Sequence, residues 1–127
     1  MKNRPFRERL GFALAGWRAG WRRERSFCTQ AVIGVAAAAA LVVLRPAPIW
    51  WALVAMLAAL ILALELLNGA IEAVIDLLHP GLHDEITAAK DMVAGAVLAI
   101  SAAALVVGAA LAVERGPAAL REWGVLR

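Results

Sequence analysis

Between residues 27 and 113 the chain runs as three long apolar stretches, roughly Phe27–Leu44, Ile49–Leu78 and Ile86–Val113, parted by two short polar breaks. At about 1.5 Å of rise per residue each stretch approaches or exceeds a hydrocarbon core of ~30 Å, so the pattern predicts three membrane-spanning helices. Arg45-Pro46-Ala47-Pro48 turns the first two into a tight helical hairpin. Upstream, Phe6, Leu10, Ala13, Leu14, Trp17 and Trp21 recur at helical spacing while Arg7, Arg18, Arg22 and Arg23 turn away. That period predicts an amphipathic helix over about residues 4–25, lying in the membrane interface rather than crossing it. Residues 114–127 are left as a polar tail after the third span.

Inside the second apolar stretch the pattern breaks its own rule. In Glu65-Leu66-Leu67-Asn68-Gly69-Ala70-Ile71-Glu72-Ala73-Val74-Ile75-Asp76, the residues Glu65, Asn68, Glu72 and Asp76 fall within roughly 80° of one another on a helix of about 100° per residue. A carboxylate at mid-span costs about 2.5–3.5 kcal/mol on insertion scales, while each Leu, Ile or Val returns about 0.3–0.6 kcal/mol, so the helix still inserts and the stripe becomes a candidate working surface. Some 30 residues from Ile49 to Leu78 would measure ~45 Å, longer than the hydrocarbon, so the acidic end should project toward water. There a cytosolic phosphate donor and a lipid hydroxyl could meet.

Composition agrees with a membrane chain. The 127 residues are 63% hydrophobic with a mean hydropathy of +0.76, too apolar for a soluble domain and too short for more than one compact unit. No secretory leader is expected, since the first apolar run begins only after a long arginine-rich arm. Lys2, Arg4, Arg7, Arg9, Arg18, Arg22, Arg23 and Arg25 precede the first span, whereas the hairpin offers Arg45 alone, which predicts a cytoplasmic N-terminus. Three crossings then put the loop His79–Glu85 inside and the tail outside. Trp50, Trp51 and Trp123 would anchor the outer interface, with Trp17 and Trp21 on the inner arm. The basic arm and a pI of about 10.0 also suit nucleic acid, but arginines beside a span are accounted for by an anionic leaflet, so no nucleic-acid partner is expected. Cys28 is single, which excludes an intrachain disulfide, and His79 and His83 lack the partners of a zinc site.

A second polar cluster opens the third span. Lys90 and Asp91 follow the loop Pro80-Gly81-Leu82-His83-Asp84-Glu85, and Glu24 closes the arm. Carboxylates from separate helices, such as Glu24 and Glu72, are hard oxygen ligands suited to Mg²⁺ with substrate phosphates, and Lys90 could neutralise a transferring phosphoryl group. The bland alternatives are a solvated Glu24 among arginines, a snorkelling Lys90, and Asp91 as a first-turn charge complement. The chain has no G-x-x-x-x-G-K-[ST], H-R-D or D-F-G motif, so soluble kinase architectures are excluded as templates. From the residues alone, a phosphotransferase competes with a non-enzymatic assembly or ion pathway built on the acidic seam.

The run ELLNGAIEAVID, followed by HPGLHDEITAAKDMVAGAVL, resembles the prokaryotic diacylglycerol kinase family, which includes the related undecaprenol kinases. The likeness extends from Gly16 through the third span. It implies an all-α integral membrane protein of the bacterial inner membrane, with three transmembrane helices after an interfacial helix, assembled as a homotrimer with shared active sites. The implied activity is ATP- and Mg²⁺-dependent phosphorylation of diacylglycerol, or alternatively of undecaprenol. By the same resemblance Glu65 is the general base, Glu24 and Glu72 hold magnesium, Asn68, His83, Lys90 and Asp91 line the nucleotide and phosphate site, and Arg18, Trp21 and Phe27 lie near the lipid. Gly69 and Ala73, then Gly95 and Ala99, repeat at a spacing that would let helices of such an assembly approach closely. One stretch departs from the family: where it often reads A-F-R-Q-E, this chain has Ser26-Phe27-Cys28-Thr29-Gln30.

Overall fold

The computed structural model describes residues 3–78, 81 and 83–124, and they form four helices: α1 (Phe6–Arg23), α2 (Arg25–Leu44), α3 (Pro48–Leu78) and α4 (Asp84–Glu122). His79, Pro80 and Leu82 of the polar loop, Lys2 of the basic arm and Val125, Leu126 and Arg127 of the tail lie outside the described residues. Helices α2, α3 and α4 are each long and apolar enough to cross a membrane, with mean hydropathies of 2.2, 2.3 and 2.5 over their best windows. Their apolar side chains point outward. Val35, Leu98, Leu105 and Val113 are all about 70% exposed or more, as suits a bundle whose solvent is lipid.

Helix α3 is the hub. It packs on α2 and α4 along the bundle, and α1 rests on α2 and α3. Between α1 and α2 the chain turns at the single residue Glu24, whose extended backbone (φ −112°, ψ 106°) interrupts the helix without glycine or proline. The elbow is set by its neighbours. Phe27 is only 2% exposed and meets the edges of Trp17, with ring centroids 5.4 Å apart, and of Trp21, at 6.4 Å. Edge-on aromatic pairs of this kind contribute about 0.5–1.5 kcal/mol beyond their buried area. The Cys28 thiol donates to the Trp21 carbonyl at 3.2 Å, satisfying one of the oxygens that the end of α1 leaves without a helical partner.

The α2–α3 hairpin turns where its prolines demand. Arg45 takes a left-handed conformation (φ 50°, ψ 52°) as the cap of α2, and Pro48 begins α3, where its missing N–H costs nothing.

The helix that carries the third span does not stop at Val113. Helix α4 continues to Glu122 across Pro117, so most of the expected tail is helical and folds over the hairpin. Trp123 Nε1 donates to the Val43 carbonyl at 2.9 Å, and Arg115 Nε donates to the Leu44 carbonyl at 2.9 Å. Both acceptors are orphan carbonyls at the end of α2. The Arg45 guanidinium lies 4.6 Å from the centre of the Trp123 ring, Trp50 Nε1 donates to Glu114, and Arg115 pairs with Glu122 at 3.0 Å. The polar residues that ended the apolar run are thus the ones that tie this end together.

Candidate functional site

At the opposite end of α3 the acidic stripe meets α1, α2 and α4. Glu65 is 6% exposed, the only buried charged residue among those described. Its Oε2 accepts a hydrogen bond of 2.7 Å from Ser26 Oγ in the first turn of α2. One turn further on, Gly69 has no side chain because Glu24 occupies the space: a Cβ there would stand 2.8 Å from Glu24 Oε1 and 3.0 Å from its Cδ and Cγ. Helical spacing puts Glu72 three residues after Gly69, on the same side. Glu72 in turn faces Lys90 of α4, with Oε1 and Nζ 3.8 Å apart. Carboxylates from the elbow and from α3, and an ammonium from α4, therefore gather over about two helical turns.

Two close approaches hold the elbow against α3. Besides Gly69 under Glu24, a Cβ on Gly20 would collide with Leu66 Cδ2, so any larger residue at position 20 requires the Leu66 side chain or α1 to move. Gly20 and Gly69 thus serve packing within one chain, whereas a Cβ at Gly16 would meet nothing within 4 Å. Between these contacts a groove of about 370 Å³ separates α1 from α3, lined by Gly16, Gly20, Glu24, Leu67, Gly69 and Ala73. Its walls are apolar except at Arg23 and Glu24.

The Lys90–Glu72 pair is loose. The two side chains are 49% and 36% exposed and their contact is longer than a hydrogen bond. Such pairs contribute about 0–1 kcal/mol, so Lys90 is free to leave Glu72 for another anion. The arrangement suits a cation between Glu24 and Glu72: both are hard oxygen donors, and Glu24 sits in a cradle that any larger residue at position 69 would fill. Among the described residues no group of three or more His, Cys, Asp or Glu is placed to hold a metal ion by itself.

The other expected site residues are placed less centrally. Asn68 is half-buried on α3, while Asp76, Asp91 and Arg18 are exposed. His83 caps α4, its Nδ1 accepting from the Glu85 N–H at 3.1 Å and its carbonyl from Thr87 Oγ1 at 3.3 Å. Phe27 lies in the packed elbow rather than at an open surface, whereas Trp21 is 55% exposed. Sequence reasoning missed Ser26, Gly20 and Trp17 as parts of this region. Only the departure at Ser26-Phe27-Cys28-Thr29-Gln30 pointed toward it.

A family model described as prokaryotic diacylglycerol kinase matches residues 11–112, from α1 to the body of α4. A curated relative, the diacylglycerol kinase of Synechocystis sp. (strain ATCC 27184 / PCC 6803 / Kazusa), is 38% identical over 101 residues, which is 79% of this chain. The chain spans 58% of that relative's length. No solved structure matches it.

Proposed function

The chain belongs to the prokaryotic diacylglycerol kinase family, and on that premise we propose that it is a membrane lipid kinase transferring the γ-phosphoryl group of ATP to the hydroxyl of diacylglycerol. The reading is carried by one observation: a buried carboxylate, Glu65, lies on the same helix face as Glu72, with Glu24 and Lys90 brought beside that face from other elements. The name of the Synechocystis relative favours diacylglycerol as acceptor, and undecaprenol is the alternative.

In this reading Glu65 takes the proton of the lipid hydroxyl as its oxygen bonds to the γ-phosphorus. The bond from that phosphorus to the bridging oxygen breaks, and ADP leaves with the electron pair. Burial of Glu65 among apolar side chains excludes water that would compete with the lipid. Lys90 exchanges its weak contact with Glu72 for the transferring phosphoryl group, and Asn68 and Asp91 would orient the nucleotide. Glu24 and Glu72 would hold Mg²⁺, which when bound offsets phosphate charge. Arg18 and Trp21 face the lipid from α1, and His83 acts by fixing the start of α4. The chemistry asks for positioning more than covalent help, which a small bundle can supply.

The reading further places the protein in a bacterial cytoplasmic membrane with its N-terminus inside, as a homotrimer whose subunits share sites. Purified protein in mixed micelles with Mg²⁺-ATP should phosphorylate diacylglycerol in preference to undecaprenol. If neither accepts phosphate while reconstituted vesicles pass ions, the acidic seam is a pathway and the kinase reading fails.

A further inference from the structure

The buried carboxylate has one side-chain hydrogen-bond donor among the described residues, and it comes from the stretch that departs from the family. Ser26 Oγ lies 2.7 Å from Glu65 Oε2. A serine in the first turn of a helix ordinarily bonds nearby backbone, as Thr29 does by returning its hydroxyl to the Arg25 carbonyl at 3.1 Å. Ser26 instead reaches across to α3. An alanine at this position would offer no donor at all.

The reach is held rigidly. Phe27, next in sequence, is locked beneath Trp17 and Trp21, and the elbow is pinned to α3 on successive turns by Gly20 against Leu66 and by Glu24 against Gly69. The Ser26 hydroxyl is therefore delivered to Glu65 by a fixed backbone. A carboxylate on a glutamate turns about three side-chain bonds, and in an apolar bundle few other groups restrain it.

We infer that Ser26 is a positioning residue for phosphoryl transfer: its hydroxyl engages Glu65 Oε2 and so turns Oε1 toward the acceptor hydroxyl. The inference rests on the role proposed for Glu65. It makes Ser26 a working departure from the A-F-R-Q-E pattern rather than a neutral replacement, and it predicts an effect on turnover without an effect on binding. Ser26 touches neither lipid nor nucleotide in this role.

The test uses the full chain in mixed micelles with Mg²⁺-ATP and diacylglycerol. Ser26→Ala should lower kcat about tenfold and leave KM for ATP and for lipid unchanged, as expected when one orienting contact is lost. Ser26→Thr, which keeps the hydroxyl, should stay within about threefold of the parent, while Ser26→Cys, close in shape but a weak donor, should resemble Ser26→Ala. In a Glu65→Gln background Ser26→Ala should cause little further loss. Parental kcat in Ser26→Ala, with Glu65→Gln inactive, overturns the inference and leaves the base in place. Loss in all three Ser26 variants that tracks a drop in thermal stability also overturns it, since the residue is then only structural. Full activity in Glu65→Gln removes the base itself, a failure distinct from that of Ser26.

Discussion

Gly69→Ala is the substitution that best separates the site from the scaffold. The new Cβ would lie 2.8 Å from Glu24 Oε1, and ordinary contact begins near 3.4 Å, so the carboxylate must withdraw by at least about 0.6 Å. Stability should barely register this. Alanine gains about 0.8–1.0 kcal/mol over glycine in a helix interior. Crowding a packed site costs about 1–3 kcal/mol, and here the cost falls at the low end because the obstructing atoms end a flexible side chain. The two nearly cancel, so the melting temperature in detergent should move by only a few degrees. Activity is another matter, because a misplacement near 1 Å in a preorganised site costs up to ~10²-fold. We expect kcat/KM for Mg²⁺-ATP to fall between about tenfold and a hundredfold and the magnesium concentration for half-maximal rate to rise. The assay is a magnesium titration at saturating lipid beside a thermal melt of the same preparation. Parental kinetics with a parental magnesium requirement would show that Glu24 does no work where it rests against Gly69, and the shared-cation reading of Glu24 and Glu72 would go with it.

Other consequences follow from the same geometry. Glu65→Gln should slow turnover by ~10²-fold or more while leaving nucleotide binding and folding largely intact, read by single-turnover phosphorylation and a thermal melt. Glu72→Ala should weaken magnesium-dependent nucleotide binding in equilibrium titrations, and an unchanged magnesium requirement would count against it as a ligand. Gly20→Ala should destabilise the protein more than Gly69→Ala, by about 1–3 kcal/mol, because the approach to Leu66 is closer and Leu66 must repack among the apolar side chains of α1 and α3. Trp123→Ala should lower the unfolding temperature, through loss of a hydrogen bond to Val43 and a cation–π contact of about 0.5–1 kcal/mol each, with kcat unchanged.

The helices were legible because lipid imposes the simplest of patterns, long apolar runs broken by charge and proline. The stripe from Glu65 to Asp76 was legible for the same reason, since polar residues stand out on such a rod. The single-residue elbow at Glu24 was not. No glycine or proline marks it, and the angle comes from Phe27 lodging under two indoles, a contact between residues up to ten apart whose geometry spacing alone does not give. Ser26 was invisible as a partner of Glu65 for that reason, because the hydrogen bond exists only once the elbow angle is fixed. The spacing of Gly69 and Ala73 predicts close helix approach, but not that the bare backbone at Gly69 seats the Glu24 carboxylate of the same chain. The extension of α4 was hidden by Glu114, Arg115 and Pro117, which look like a stop. The charged pair instead turns to partners at Trp50, Leu44 and Glu122, and a proline just past the apolar core gives up one backbone bond without ending the helix.

The bonds from Trp123 and Arg115 to the last carbonyls of α2 have a bearing on depth. Helix ends usually need water, and that need fixes how far a turn between two spans can sink before dehydration becomes prohibitive. Here two of those oxygens carry their own donors with them. Drawing this turn toward the hydrocarbon would therefore leave those two carbonyls still bonded, so their dehydration adds little to the cost of moving it.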